Sequence, residues 1–238
     1  ASSKLKVGDH VFVPGANCYE REKGLFGASA SLLLASDEKL IKIDSELKAK
    51  GTLFALAATA RHALAGLGNK LPSLIVGHGV LGRLLARLTI AAGGEPPTVW
   101  ESNPLRVGHQ SDYKVIDPLK DSSSDHEAIY EASGDISVLD KIIPKLKKNG
   151  EIVLAGFYSS PISFAFPPAF MREARFRISA EFNTEDINIT RSLIETGALS
   201  LEGLISHEKN VNSSKAAYKQ SFEDPECLKM VIDWRDVA

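Results

Sequence analysis

The stretch Leu74-Ile75-Val76-Gly77-His78-Gly79-Val80-Leu81-Gly82 decides the fold of this chain. Its three leading apolar residues are typical of a short buried strand, and the apolar spacing from Val80 to Ala92 predicts a helix. The glycines between them stand in the order GxGxxG. The first allows a tight turn, the second lets a phosphate approach the backbone, and the third lets helix and strand pack closely. We therefore predict that a dinucleotide pyrophosphate binds at Gly77, His78, Gly79, Val80, Leu81 and Gly82.

The chain around this loop alternates between predicted strands and helices. Further strands are expected at Thr98–Trp100, Tyr113–Ile116, Ile129–Ala132 and Glu151–Leu154, with a helix over Ser137–Leu146. Continuous apolar strands joined by short connections are typical of a parallel sheet that is covered on both faces. The sequence therefore predicts an α/β fold with a doubly wound parallel sheet of the Rossmann type.

The segments on either side of this sheet have different patterns. The opening is β-rich: a Gly-Asp corner precedes a strand at His10–Pro14, residues 26–34 continue the pattern, and an edge strand is expected at Lys39–Ile43. A helix over Gly51–Leu67 then leads into the sheet. After the sheet we expect a strand at Arg175–Ala180 and a helix at Ile187–Thr196. Because the opening has too few strands to close a core, we expect that a segment before it is missing.

Composition excludes several classes of function. The 28 Lys and Arg nearly balance the 30 Asp and Glu, so no global field favours nucleic acid or an anionic membrane. Cys18 and Cys227 are far apart, which argues against a disulfide framework and a cysteine-built zinc lobe. The longest apolar stretch, Leu53–Ala60, is too short to span a bilayer. We predict a soluble cytoplasmic protein with no integral membrane segment and no nucleic-acid partner.

A carboxylate follows the second predicted strand and bears on the choice of cofactor. Glu101 lies 19 residues beyond Gly82, where an acidic side chain accepts the adenosine ribose hydroxyls and repels a 2′-phosphate. This position favours NAD over NADP. The competing interpretation is that Glu101 caps a loop and the glycines form a structural turn. For Arg106 two interpretations stay open: it flanks the adenine, or it pairs with Glu101 in solvent.

Three further stretches resemble medium-chain alcohol dehydrogenases, in the order in which those proteins carry them. Lys6–Val11 resembles their KxGDxV corner, Ala132–Gly134 with Asn149–Gly156 resembles their fourth and fifth Rossmann strands, and Leu204–Ile232 resembles their C-terminal return. The resemblance implies a truncated, β-rich GroES-like catalytic domain in residues 1–52, a Rossmann NAD-binding domain in residues 53–180, and a return to the catalytic domain in residues 181–238. It adds to the cofactor site Ser133, Gly134, Gly156 and Phe157.

A narrower resemblance rests on Val11–Tyr19, Gly24–Gly27, Leu56–Leu64, Ile75–Gly94 and Pro96–Glu101. These stretches are similar to the bacteriochlorophyllide dehydrogenase family. The resemblance implies NAD-dependent oxidation of the 3-(1-hydroxyethyl) group of a chlorin or bacteriochlorin to 3-acetyl, in bacteriochlorophyll biosynthesis and hence in photosynthesis. It also implies a zinc-free enzyme, although zinc ligands of the wider superfamily would lie mostly in the missing segment. Two rivals are a quinone or enoyl reductase of the same superfamily and an NAD(H)-binding sensor without turnover.

Two residues of the helix that leads into the sheet are candidates for catalysis. Thr59 matches the threonine that the superfamily places beside the nicotinamide. His62 follows three residues later and, with an ordinary pKa near ~6.5, could relay a proton. In the other interpretation, His62 is a helix-surface histidine with no chemical role. His78 could contact the pyrophosphate or point to solvent.

Aromatic residues after the fifth strand are candidates for contact with a flat ligand. Phe157 and Tyr158 stand where the crevice meets the substrate side and could stack on nicotinamide or on a macrocycle. An aromatic and proline-rich segment follows, and it comprises Phe164, Phe166, Pro167, Pro168 and Phe170. Three interpretations stay open for it: a platform for a chlorin, the contact of a homodimer, or packing between domains.

Overall fold

The computed structural model describes residues 5–15, 29–66, 70–107 and 112–235. Cys18, residues 26–28 of the predicted β-rich opening, and the family-like stretches at residues 16–19 and 24–27 lie outside the described residues. The strands are β1 (Val11–Phe12), β2 (Ile41–Lys42), β3 (Leu74–Val76), β4 (Thr98–Trp100), β5 (Lys114–Ile116), β6 (His126–Glu131), β7 (Leu146–Leu154), β8 (Arg175–Ile178), β9 (His207–Asn210) and β10 (Met230–Asp233). The α-helices are α1 (Phe54–Leu64), α2 (Val80–Ala91), α3 (Pro104–Val107), α4 (Leu139–Ile142), α5 (Phe166–Arg172), α6 (Thr184–Glu195) and α7 (Ser214–Glu223).

Six strands form the central sheet, in the order β5-β4-β3-β6-β7-β8, and every pairing is parallel. This order is that of a doubly wound dinucleotide-binding sheet, whose order reverses between its first and fourth strands. Here that switch point lies between β3 and β6. The predicted Rossmann sheet is confirmed.

Alternating residues of the strands explain why both faces of the sheet are covered. Ile75 and Tyr130 belong to a core that includes buried residues of α1 and α2. Their neighbours Leu74, Val76 and Ile129 point the other way, into a second core with buried residues of α4. Successive strand side chains point to opposite faces, so a strand that is apolar at every position needs helices on both sides.

The predicted helix over Ser137–Leu146 is wrong in part. The structure divides it into a 3-10 turn at Ile136–Val138, the short helix α4, and a second 3-10 turn at Ile143–Lys145. Pro144 explains the break, because proline lacks the N–H that an α-helix needs in its interior. β7 then starts at Leu146, five residues before the predicted strand.

The opening has less strand than its sequence pattern suggests. β1 and β2 form a two-stranded antiparallel pair, while Leu32–Leu34 are in no strand. The helix α1 follows a 3-10 segment and begins at Phe54 rather than Gly51. In the tail, β9 and β10 pair in parallel, and α6 starts three residues earlier than predicted because Asn183 and Asp186 form a capping box.

β1 and α6, which belong to the outer segments, both pack against α1. Phe12 of β1 stacks on Phe54 of α1 with a 5.8 Å separation of ring centroids, and both are buried together with Ile187 of α6.

No helix in the described part of the chain is both long and apolar enough to cross a bilayer.

Candidate active site

The glycine loop has the geometry of a cradle for a phosphate. Gly77 has φ +98°, in the left-handed region that favours glycine, and a Cβ on Gly82 would overlap the Gly77 carbonyl oxygen. A Cβ on Gly79 would meet nothing within 4 Å, so there is open space in which a ligand could approach the backbone. Gly79 is also the N-cap of α2 and provides no side-chain hydrogen bond, which leaves the first N–H groups of that 12-residue helix free of a side-chain cap.

The turns that follow β3, β6 and β7 meet at the switch point. A Cβ on Gly77 would lie 3.0 Å from the Ser133 backbone, after β6. A Cβ on Gly134 would lie 2.7 Å from the Phe157 carbonyl oxygen, and one on Gly156 would lie 2.8 Å from the Gly134 nitrogen. The structure thus brings together these five residues, which come from separate parts of the sequence. They form the rim of the crevice where α/β sheets bind their ligands.

Glu101 directly follows β4, next to the glycine loop, and is only 9% exposed. Its carboxylate accepts hydrogen bonds from the backbone N–H of Asn103 at 2.7 Å and of His78 at 3.3 Å. The side chain is therefore directed at the loop rather than into solvent. A carboxylate oxygen has more than one lone pair, so these two bonds leave acceptor capacity for a ligand.

His78 lies in the loop, and its ring is buried rather than exposed to solvent. The residue is fully buried, with Nδ1 2.7 Å from the Arg106 carbonyl and Nε2 3.0 Å from the Tyr113 hydroxyl. Because a carbonyl can only accept, Nδ1 carries the proton and Nε2 accepts from Tyr113. Burial lowers the pKa of His78 to about 4, so the ring is neutral near pH 7. The interpretation that this ring points to solvent is wrong, because the ring is buried between these two partners. A contact of His78 with the pyrophosphate stays a prediction.

Arg106 does not pair with Glu101, whereas its predicted place beside the adenine stays a prediction. Its Nε donates to the Pro225 carbonyl at 2.8 Å, and a terminal nitrogen donates to the Cys227 carbonyl at 3.3 Å. The guanidinium thereby attaches α3 to the C-terminal segment. The predicted pairing with Glu101 is wrong, since backbone carbonyls of that segment compete for the same donors.

The two catalytic candidates lie on α1. The Thr59 hydroxyl donates to the Ala55 carbonyl at 2.9 Å, one turn earlier. His62 places Nδ1 2.7 Å from a carboxylate oxygen of Asp186, a fully buried residue at the start of α6. Arg61 binds the other oxygen of Asp186 at 2.5 Å. His62 therefore belongs to a hydrogen-bonded cluster around Asp186 that joins α1 to α6.

Asp186 was missed in the sequence. Burial opposes its ionisation, but hydrogen bonds from the Asn183 backbone and from Arg61 and His62 outweigh burial and lower the pKa of Asp186. The carboxylate is charged and accepts from all three partners. The Asn-x-x-Asp capping pattern before an apolar run was the available signal, and it locates the helix start without revealing the contact with α1.

Glu131 is the second residue that sequence reasoning missed. It ends β6 directly after the buried residues Ala128–Tyr130, has no solvent exposure, and accepts hydrogen bonds from residues on the crevice rim. A charged residue in a buried strand was the available signal, because such residues are almost never buried without partners. In the described ranges, no three His, Cys, Asp or Glu side chains come together as a possible metal site.

Comparison with known proteins assigns the chain to a family. No family model matches the chain. The chain is 56% identical to the 2-desacetyl-2-hydroxyethyl bacteriochlorophyllide A dehydrogenase of Cereibacter sphaeroides, over 98% of this chain and 75% of that protein. It is 54% identical to the protein of the same name from Rhodobacter capsulatus, over 98% of this chain and 74% of that protein.

A solved structure supports the fold independently. The acetophenone reductase from Geotrichum candidum in complex with NAD has a TM-score of 0.81 at 18% sequence identity, over 100% of this chain and 77% of that chain. At this identity the likeness shows the fold alone. The two curated relatives, in contrast, share more than half of their aligned residues with this sequence. The chain belongs to the family of 2-desacetyl-2-hydroxyethyl bacteriochlorophyllide A dehydrogenases.

Proposed function

We propose that this chain oxidises the 3-(1-hydroxyethyl) group of a chlorin or bacteriochlorin to 3-acetyl, with NAD⁺ as the hydride acceptor. The observation that carries this proposal is the identity of 56% and 54% to relatives named as dehydrogenases of a hydroxyethyl bacteriochlorophyllide. In the reaction the carbinol carbon loses a hydride and the hydroxyl loses a proton, so that a C=O bond forms. The step belongs to bacteriochlorophyll biosynthesis.

The glycine loop supports a dinucleotide at the switch point. Open space at Gly79 and the N-terminus of α2 suit a pyrophosphate, which would receive backbone hydrogen bonds and a favourable helix dipole. Val80, Leu81 and Gly82 contribute the first turn of that helix. A nicotinamide cofactor, when bound, supplies the hydride-accepting ring. Ser133, Gly134 and Gly156 would then border the half of the cofactor that carries this ring.

Glu101 supports NAD as the cofactor. Its carboxylate is held at the carboxyl end of β4, beside the loop, by two backbone N–H groups. A carboxylate held there accepts ribose hydroxyls and repels the 2′-phosphate of NADP. The guanidinium of Arg106, five residues after Glu101, is bound to carbonyls of the C-terminal segment.

Replacing Glu101 by glutamine is expected to weaken NAD⁺ binding about tenfold, because hydrogen bonds to a charged acceptor are worth more than those to a neutral one. The preference for NAD⁺ over NADP⁺ should shrink by at least as much. Dissociation constants for NADH and NADPH, measured by fluorescence titration, test this. Glu95→Gln is the matched control, since that side chain is exposed ahead of β4. A wild type that prefers NADPH would contradict the assignment.

Thr59 and His62 remain the proposed catalytic residues. Asp186 fixes the His62 ring through Nδ1, which leaves Nε2 to exchange a proton. Thr59 stands one turn before His62 on the same helix, and its hydroxyl oxygen keeps lone pairs that can accept from a substrate hydroxyl. In the competing interpretation His62 serves only the hydrogen bond to Asp186.

Exposed aromatic residues support a flat macrocyclic substrate. The Phe157 ring is 92% exposed at the carboxyl end of β7, while its backbone carbonyl is in close contact with Gly134. Burying such a ring against a planar ligand would release about 2 kcal/mol of hydrophobic free energy. We assign Phe157 to the meeting point of cofactor and chlorin.

A homodimer across the edge of the sheet is the proposed assembly. β8 pairs with β7 on one side, and no described strand pairs with its other side. Ile178 of β8 is exposed, and so are the large apolar side chains of the preceding helix α5, namely Phe166, Phe170 and Met171. An open strand edge with an apolar border is a template for pairing with a second copy. A monomeric mass in light scattering would contradict it.

A spectral assay tests the proposed activity. With a 3-hydroxyethyl chlorin and NAD⁺, we expect NADH to form while the pigment band shifts, because the new ketone joins the conjugated ring. The two signals should grow at the same rate. Tight NADH binding without any turnover would favour the silent sensor, and reduction of quinones or enoyl compounds by NADPH would favour the rival reductase.

A further inference from the structure

The buried carboxylate of Glu131 joins two turns of the crevice rim. One carboxylate oxygen accepts from the Ser133 N–H at 2.7 Å and from the Ser133 hydroxyl. The other accepts from the Gly134 N–H at 3.2 Å and from the Tyr158 hydroxyl. Ser133 and Gly134 follow β6, and Tyr158 follows β7, so one side chain holds both turns.

All four partners of Glu131 donate hydrogen bonds to it, so its side chain must be a carboxylate that accepts at both oxygens. The Ser133 oxygen itself accepts from the Asp135 N–H at 3.1 Å, so its own proton goes to Glu131. A carboxylate accepts at both oxygens, whereas a protonated acid would present a donor to one of these donors. Burial together with the bond to Glu131 raises the pKa of Tyr158, which keeps that phenol protonated as a donor.

The space around Glu131 shows how closely the turns are held. A Cβ on Gly156 would lie 3.0 Å from a Glu131 carboxylate oxygen and 2.8 Å from the Gly134 nitrogen. Gly134 also lies against the Phe157 backbone, and Ser133 lies against Gly77 of the glycine loop. A shift of the Glu131 carboxylate is therefore passed to the rim on both sides of the switch point.

We propose that Glu131 is a positioning residue, whose carboxylate sets the spacing of the Ser133–Gly134 and Phe157–Tyr158 turns for the nicotinamide half of the cofactor. This inference rests on the proposed function, since it assumes that the cofactor lies in this crevice. Glu131 touches neither cofactor nor substrate in the proposal. It acts through the backbone of the turns, and Tyr158 acts through Glu131.

Glu131→Gln keeps the size of the side chain but replaces one acceptor by an NH₂ donor. At least one of the four donors then loses its partner, and the rim must shift to relieve the conflict. We expect NADH to bind about tenfold more weakly and the KM for NAD⁺ to rise by a similar factor, with kcat within about threefold of wild type. Tyr158→Phe removes one donor and should weaken NADH binding about threefold.

The matched control lies on the same strand. Glu127 is four residues earlier, at the surface, where it pairs with Lys147 at 2.9 Å and Lys70 at 3.0 Å. Glu127→Gln should leave NADH binding unchanged. In a Glu131→Gln background, Tyr158→Phe should add little further loss, because the phenol works through the carboxylate.

Fluorescence titration with NADH, KM and kcat for NAD⁺, and the melting temperature separate the possible outcomes. A lower melting temperature with unchanged NADH affinity in Glu131→Gln would show a role in fold stability alone and overturn the inference. If Glu131→Gln does not fold, an unchanged NADH affinity in Tyr158→Phe overturns it instead. Wild type that binds neither NADH nor NADPH would refute the proposed function itself, whereas equal binding by wild type and both variants refutes only the positioning role.

Discussion

Gly82→Ala is expected to reduce NADH affinity on the order of 100-fold and to destabilise the folded protein by about 1–3 kcal/mol. The added methyl group would overlap the Gly77 carbonyl oxygen. Gly77 cannot yield easily, because its N–H donates to the Trp100 carbonyl at 2.9 Å and its Cα faces the Ser133 backbone. The start of α2 must therefore move away from β3, and the free N–H groups at the helix N-terminus move with it.

Gly79→Ala is the informative comparison for that experiment. A methyl group on Gly79 meets nothing within 4 Å, and the residue has an ordinary negative φ of −71°. The stability of the free protein should stay the same or rise by up to about 1 kcal/mol. NADH affinity should still fall, because the methyl group fills the space that the pyrophosphate needs. Urea unfolding and NADH titration of both variants test the pair, and a Gly79→Ala protein with unchanged NADH affinity would contradict the cradle.

The sheet could be predicted from sequence because its signals are local. Leu74–Val76 and Thr98–Trp100 are short apolar runs between turn residues, and the glycine spacing reports a turn within six positions. Errors occurred where one residue overrides a periodic pattern. Pro144 divides the predicted helix after β6, although the apolar spacing on either side of it is helical.

Site residues with a local signal could also be predicted, whereas those whose partners are distant in sequence could not. Glu101 could be predicted, because its role follows from its distance along the chain after the glycine loop. Asp186 and His62 could not be paired from sequence, since they lie on different helices 124 residues apart. Glu131 was assigned to a strand without a role, because its partner Tyr158 approaches only when β6 and β7 lie side by side.

His78 makes the stability of the protein depend on pH in a definite direction. Burial lowers its pKa in the folded state to about 4, from an ordinary value of 6.5. Between these two values the unfolded chain binds a proton that the folded protein does not, so stability is lost as the pH falls through this window. The full difference corresponds to about 3 kcal/mol, of which about 2 kcal/mol should be lost between about pH 7 and pH 5.

His78→Asn tests the source of this loss. Asparagine keeps an N–H donor for the Arg106 carbonyl but does not take up a proton, so its unfolding free energy should vary less between about pH 7 and pH 5 than that of wild type. His126 is also buried, and burial lowers its pKa, so the variant should retain part of the dependence. Asp186 contributes only at lower pH, because the pKa of its carboxyl lies below the ordinary value of 3.8. His10→Gln, at an exposed position, is the control. If urea unfolding gives wild type and His78→Asn the same pH dependence, the His78 ring is protonated at little cost and the buried neutral arrangement is refuted.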